Sequence, residues 1–289
     1  MKQRLITALV AILVLITVIV FKDYLLRPGI IVVAFCGLYE FLNAFKNKYK
    51  IMWISTFIFT AINFAVLAIN DYFNVEQQTN MFSIMIVFML YVLTTLIISI
   101  FKNEKYDIRS VVISVFGYIY ASLLFSFLYL LGTYDSVNNS LFYILLLFAI
   151  TWGADTGGYL IGCAMGKHKL CEKLSPKKTY EGAVGGLIFS TLFGLILVYV
   201  YNFNLNMIGE AEFWSMKEPI NVLMMSILFL VLSVLAQIGD FVASSFKRFV
   251  GVKDYSNIMP GHGGIIDRFD SVLFVAPLLY FFSLLLEIF

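Results

Sequence analysis

Residues 244–270 read SSFKRFVGVKDYSNIMPGHGGIIDRFD and lie between two strongly apolar runs, Val222–Ile238 and Val272–Leu286. This island holds Lys247, Arg248, Lys253, Asp254, His262, Asp267, Arg268 and Asp270, interleaved with Gly251, Gly261, Gly263 and Gly264. Solvation alone accounts for charge in a loop, but not for glycines alternating with cations and carboxylates beside a membrane. Glycine lets backbone approach a phosphate closely, cations neutralise that phosphate, and carboxylates hold a divalent metal. The stretch therefore reads as a phosphate-handling site at a membrane surface, and its apolar flanks as two membrane-spanning helices.

Working outward, composition supports a polytopic membrane protein. The 289 residues are 61% hydrophobic and only 13% charged, where soluble domains carry roughly 25% charge. A span needs roughly 20 mostly apolar residues. Nine segments qualify: Leu5–Phe21, Pro28–Phe45, Ile51–Asn70, Met81–Phe101, Val111–Leu131, Leu141–Gly162, Gly182–Tyr201, Val222–Gly239 and Ile266–Phe289. The first resembles a signal peptide in its basic start and apolar run, but it lacks a small-x-small cleavage site and reads as an uncleaved span. The first two could instead form a tight hairpin across Lys22 to Arg27. We therefore expect an all-α bundle of about nine transmembrane helices, a single membrane domain over 1–289, with 1–150 as scaffold and 151–289 carrying the motifs.

Charge distribution orients the chain. Alternate inter-span segments hold 17 of the 20 Lys and Arg residues; the opposite segments hold only Lys22, Arg27 and Lys217. Loops rich in Lys and Arg stay on the cytoplasmic side, so the N-terminus and both large polar loops are expected there. Cys36, Cys163 and Cys171 form no paired spacing, and free thiols are expected rather than a disulfide or zinc framework.

A second informative stretch precedes the seventh span. Asp155, in Ala154-Asp-Thr-Gly-Gly-Tyr159, falls inside the sixth span, where a charge costs at least ~2.5 kcal/mol. It reads either as lining a site or as a polar helix–helix contact aided by Gly153, Gly157, Gly158 and Gly162. The run Ser175-Pro-Lys-Lys-Thr-Tyr-Glu-Gly182 then enters the seventh span. Lys177, Lys178 and backbone N–H groups near a helix start suit a phosphate, although a merely basic cytoplasmic loop has the same composition. Gly162-Cys-Ala-Met-Gly-Lys-His168 is one residue short of a P-loop and lacks the following Ser or Thr. No D-G-x-x-A-R stretch of the CDP-alcohol phosphotransferases occurs.

Taken together, the island resembles the signature of the phosphatidate cytidylyltransferases (CDP-diacylglycerol synthases). The match runs over Ser244, Phe246, Lys247, Arg248, Lys253, Asp254, Ser256, Pro260, His262, Gly263, Gly264, Ile265, Asp267, Arg268, Phe269 and Asp270. Met259 departs from the usual Leu, Ile or Phe but keeps volume and apolarity. A-D-T-G-G-Y and S-P-K-K-T-x-E-G resemble the family's other recurring stretches. The resemblance implies the reaction CTP + phosphatidate → CDP-diacylglycerol + pyrophosphate in phospholipid biosynthesis. It also implies magnesium, a homodimer and a second, monovalent cation such as K+. A bacterial inner or plasma membrane location with a cytoplasm-facing site is expected, and no nucleic-acid partner.

Roles follow from residue chemistry. Lys247, Arg248, Lys253 and Arg268 suit a triphosphate and departing pyrophosphate, or anionic headgroups. Asp254 and His262 join them as catalytic candidates; His262 donates to a phosphate or merely closes a turn. Ser244, Gly263 and Gly264, with Asp155, Ser175, Lys177 and Lys178, are substrate-binding candidates. Asp240 and Asp267 are the first choice of metal ligands, with Asp270 and Asp155 second. Alternatively these acids pair with neighbouring cations as interfacial structure. Glu40 and Asn63, lone polar residues in apolar spans, read as interhelical contacts. Two rivals remain: a cation- or proton-coupled transporter using Asp155 and Asp240, for which no internal repeat is visible, and a non-catalytic binder of anionic lipid.

Overall fold

The computed structural model describes residues 17, 21–133, 137–207, 216, 218–259 and 263–288. Eight helices among them are long and apolar enough to cross a bilayer. The expected first span, Leu5–Phe21, lies almost wholly outside the described residues. The remaining eight expected spans each coincide with one of the observed helices, so the all-α membrane fold is borne out. The chain divides into two compact units: Met1–Thr133 with Lys247–Arg268, and Tyr134–Phe246 with Phe269–Phe289.

The first unit contains α1 (Lys22–Phe45), α2 (Trp53–Tyr72) and α3 (Gln77–Phe101). One further span follows, built from α4 (Ile108–Gly117), a π-helical segment (Tyr118–Leu123) and α5 (Leu124–Leu131). Asp107 caps α4 by accepting from the Ser110 N–H and hydroxyl, both at 2.8 Å. Those bonds hold the exposed Asp107 carboxyl below its ordinary value. The composite span is the most enclosed, and Leu38, Phe41 and Leu42 of α1 pack fully buried in the same unit. Gly117 permits this approach, since a Cβ there would stand 2.7 Å from Leu42 Cδ2.

Polarity in this unit is inverted relative to a water-soluble fold. Thr56 and Tyr91 share a hydrogen bond of 2.8 Å, and Asn63 donates to Ser126 Oγ at 2.6 Å, all four residues buried. Asn63 is thus the interhelical contact its isolation in an apolar run implied. Outward-facing positions on α3 are instead apolar, including Phe82, Met85 and Met89, each about two-thirds exposed. So much exposed apolar surface marks a face for lipid, while polar side chains find partners between helices.

The second unit contains α6 (Val137–Met165), a β-hairpin of β1 (Lys169–Cys171) and β2 (Ser175–Thr179), and α7 (Tyr180–Met207). It also takes most of α8 (Pro219–Val250) and α9 (Ile266–Ile288), two helices that contribute to both units. The small antiparallel hairpin pairs Lys169 with Thr179 and Cys171 with Ser175; nothing in the apolar periodicity announced it. The Thr179 hydroxyl caps α7 by accepting the Gly182 N–H at 3.1 Å.

Helices α6 and α7 meet through glycines. A Cβ on Gly157 would lie 2.5 Å from the Gly185 carbonyl oxygen, and one on Gly182 would lie 2.7 Å from that of Gly158. Of Gly153, Gly157, Gly158 and Gly162, read from sequence as packing residues, Gly153, Gly157 and Gly162 do serve close approach, as do Gly182 and Gly185 on the facing helix, whereas a Cβ on Gly158 would meet nothing closer than 3.7 Å. The three cysteines are free thiols, as expected.

One boundary differs from expectation. The eighth span is expected to end at Gly239, yet α8 continues to Val250. Its 32 residues extend about 48 Å at ~1.5 Å each, beyond the ~30 Å hydrocarbon core. Helix persists because no proline interrupts it after Pro219 and Gly239 does not take a positive φ; Gly251, with φ +81°, ends it. Ser244, Lys247 and Arg248 therefore stand on helical turns, not in a loop.

The glycine contacts make a sharp prediction. Gly157→Val forces a side chain into backbone and should destabilise the protein by about 1–3 kcal/mol, read as a lowered Tm in detergent. Gly158→Ala, whose new methyl would meet nothing closer than 3.7 Å, should leave Tm nearly unchanged.

Candidate functional site

In the first unit the polar island begins at the C-terminus of α8. The Gly251 N–H donates to the Arg248 carbonyl at 3.1 Å and the Val252 N–H to the Lys247 carbonyl at 2.9 Å. This is the paired-bond helix stop that a left-handed glycine allows. Arg248 remains exposed and donates to the Val252 carbonyl at 3.2 Å; Lys253 and Asp254 are also exposed. The chain turns back through an isolated antiparallel bridge between Met259 and Gly263. His262, with Pro260 and Gly261, lies outside the described residues.

Asp267, in the first turn of α9, gathers three donors. Its Oδ1 accepts from Lys247 Nζ at 2.7 Å, and its Oδ2 accepts from the Tyr255 N–H at 3.0 Å and the Gly264 N–H at 2.9 Å. Both partners of the ion pair are largely buried, with side-chain exposures of 10% for Lys247 and 7% for Asp267. Gly263 turns with φ +86°, and a Cβ there would sit 3.0 Å from Asp267 Oδ2. Lys247 Nζ also lies 5.7 Å from the centre of the Tyr255 ring. That ring is buried and stacked on Phe41 at 6.1 Å, so it is committed to packing.

Beneath this loop lies a residue whose role sequence reasoning missed. Glu40 on α1 is fully buried. Its Oε1 accepts from the Ser256 hydroxyl at 2.5 Å and the Ile265 N–H at 2.9 Å, and its Oε2 accepts from the Ile266 N–H at 2.9 Å. It was expected to make an interhelical contact, and it does meet the start of α9, but it also binds the loop. The signal was available: an acid in an apolar span must find compensation. What the sequence withheld was the partner, more than 200 residues away.

The second unit holds a different pair. Lys178 on β2 forms an ion pair with Asp240 of α8, and its ammonium lies 4.5 Å from the centre of the Phe241 ring. Ser244 Oγ donates to Asp240 Oδ1 at 3.4 Å. Gln237 and Ser233 donate to the Ala183 and Gly186 carbonyls at 3.1 and 3.3 Å, holding α8 against α7. Ser175 is half-buried and Lys177 exposed on β2, while Asp155 is exposed on α6. Asp270 is buried, and its carboxylate accepts from the Ser271 N–H at 2.7 Å. Its backbone lies against Gly239, where a Cβ would come within 2.5 Å of the Asp270 carbonyl oxygen.

Several sequence candidates are therefore brought together: Lys247, Asp267 and Gly264 in one unit, Lys178, Asp240 and Ser244 in the other. Arg268 is exposed at the start of α9. Among the described residues, no group of three or more His, Cys, Asp or Glu side chains is placed to cage a metal ion.

The fold and these charge pairs define an all-α, polytopic integral membrane protein with lysine–carboxylate pairs on its polar segments. The cytidylyltransferase family model matches residues 2–286, and the chain belongs to that family. It is 32% identical over 283 residues to a phosphatidate cytidylyltransferase of Staphylococcus haemolyticus (strain JCSC1435), covering 96% of this chain and 97% of that one. It is 34% identical over 282 residues to the protein of the same name in Staphylococcus aureus (strain COL), with the same coverage.

The Lys247–Asp267 pair carries its own prediction. Lys247→Met leaves a buried carboxylate without its cation and should cost about 3 kcal/mol. Denaturation in detergent should show that the double variant Lys247→Met/Asp267→Asn recovers part of this loss, the mark of a direct coupling.

Proposed function

We propose that this chain transfers a cytidylyl group from CTP to phosphatidate, forming CDP-diacylglycerol and pyrophosphate for phospholipid synthesis. The observation that carries it is end-to-end similarity to proteins bearing the name of that enzyme, at 32–34% identity over 96% of the chain. The expected motif residues Lys247, Asp267, Lys178 and Asp240 also form close cation–carboxylate pairs in it.

A phosphatidate oxygen attacks the α-phosphorus of CTP. A new P–O bond forms, the bond to the bridging oxygen breaks, and pyrophosphate departs with the electron pair. The attacking phosphate is already anionic near neutral pH, so no strong general base is required. The protein must align the two phosphates, reduce their repulsion and stabilise the leaving group. Lys178, Lys247, Arg248, Lys253 and Arg268 supply positive charge for this, with Lys177 and Ser175 beside Lys178 on the hairpin. His262, Asp254, Ser244, Asp155, Gly263 and Gly264 remain in the proposed substrate environment.

Magnesium fits this donor set in kind. The ion takes one or two carboxylates and completes its shell with phosphate and water, which agrees with single carboxylates rather than a protein cage. Asp240, Asp267 or Asp270 would supply such a carboxylate, and a bound ion would supply Lewis-acid stabilisation of phosphate charge. A second, monovalent cation and a homodimer belong to the same reading, as does a cytoplasm-facing site in a bacterial plasma membrane. The orientation is supported by the strong bias of Lys and Arg to alternate segments.

Detergent-purified protein given CTP, phosphatidate and magnesium should release pyrophosphate only when both substrates and the metal are present. Asp267→Asn, if it stays folded, should lower that rate by at least ~100-fold, the scale of losing one electrostatic stabiliser. Full activity in the variant would sink the metal assignment but keep the reaction. A folded but silent wild type would reject the reaction and call for an ion-flux measurement in liposomes.

A further inference from the structure

We infer that Glu40, from the scaffold span α1, is a positioning residue that fixes the loop joining the charged ends of α8 and α9. Its kinetic consequence rests on the reaction proposed above; its structural consequence does not. The carboxylate is fully buried, and its three partners among the described residues are all neutral donors: the Ser256 hydroxyl and the Ile265 and Ile266 N–H groups. A buried carboxylate without a cation is costly unless hydrogen bonds and a favourable field replace water. Here two of its donors lie at the N-terminal end of α9, where the helix dipole favours an anion.

The neighbourhood is shaped around this side chain. Gly264 is pressed against it so closely that a Cβ would fall 2.6 Å from Glu40 Oε2. Gly37, one turn earlier on α1, would with a Cβ stand 3.4 Å from Ile266 Cγ1. The next residue, Phe41, stacks on Tyr255, whose N–H donates to Asp267. Glu40 thus ties both ends of the segment 256–266 to one rigid helix. Asp267, immediately after that segment, takes its orientation from the Tyr255 and Gly264 N–H groups, and Lys247 takes its own from Asp267. The chain of contacts runs from α1 to the proposed site without Glu40 touching substrate.

A glutamine cannot substitute, because one end of its amide would turn a donor toward donors. An aspartate keeps the anionic acceptor but falls one methylene short. The test compares wild type, Glu40→Gln, Glu40→Asp and Ser256→Ala in detergent by hydrogen–deuterium exchange and steady-state kinetics. Glu40→Gln should speed exchange of the 255–266 amides by at least ~10-fold while α2 and α3 keep wild-type protection. Its kcat per folded molecule should fall ~100-fold, as for a small misplacement of aligned groups, with KM for CTP and phosphatidate changed less than about threefold. Glu40→Asp should recover part of both losses, and Ser256→Ala, which retains the two backbone bonds, should show the smallest effect. Exchange that rises equally in all spans, with kcat per folded molecule unchanged, would make Glu40 a general stability residue and overturn the inference. Unaltered exchange at 255–266 in a folded Glu40→Gln would overturn it too. Should wild type release no pyrophosphate, the reaction falls, and the exchange data still decide whether Glu40 holds the loop.

Discussion

Two carboxylates take up the backbone donors that would otherwise stand open where the polar loop enters α9. Glu40 accepts from Ile265 and Ile266, and Asp267 accepts from Gly264 and Tyr255. Near a membrane, an unsatisfied N–H has little water to turn to and costs several kcal/mol. The loop can therefore hold one conformation only while both acids are in place. Each acid is in turn stabilised by what it binds, the dipole of α9 for both and the Lys247 ammonium for Asp267. Loop geometry, helix start and ion pair are one cooperative unit, and the glycines at 263 and 264 exist in it because no side chain fits.

Elsewhere the same economy of space takes another form. In the second unit, glycines let α6 and α7 approach until backbone meets backbone, which is how helices associate where lipid removes the hydrophobic drive. The result is a firm base for the hairpin and for Lys178, whose partner Asp240 stands on a helix hydrogen-bonded to α7 through Gln237 and Ser233. In the first unit the spans are joined instead by polar side-chain pairs such as Thr56–Tyr91 and Asn63–Ser126. In each unit a lysine is thus held by a carboxylate on rigid surroundings, Lys247 by Asp267 and Lys178 by Asp240.

Much of this was legible in the residues. Apolar runs located the eight described spans because the bilayer imposes length and hydrophobicity directly on sequence. The island at 244–270 stood out as a compact polar segment because cations, carboxylates and glycines are concentrated there between two apolar runs, and the Lys247–Asp267 pair does form within it. Asn63 was rightly assigned to a helix contact. The end of the eighth span was not legible: apolarity stops at Gly239, yet backbone hydrogen bonding carries α8 through polar residues to Val250. The hairpin at 169–179 escaped for a related reason, since short polar strands have no hydrophobic period to betray them.

The sequence by itself determined the class of fold, the positions of the spans and the residue types at the site, because each is a local property of composition and spacing. Only the tertiary structure decided which charges meet. Asp267 pairs with Lys247 and Asp240 with Lys178, and Glu40 reaches a loop 216 residues away in the chain. Nothing local encodes such pairings. They arise because each buried charge must find a partner, and which partner lies within reach is fixed by how the helices pack.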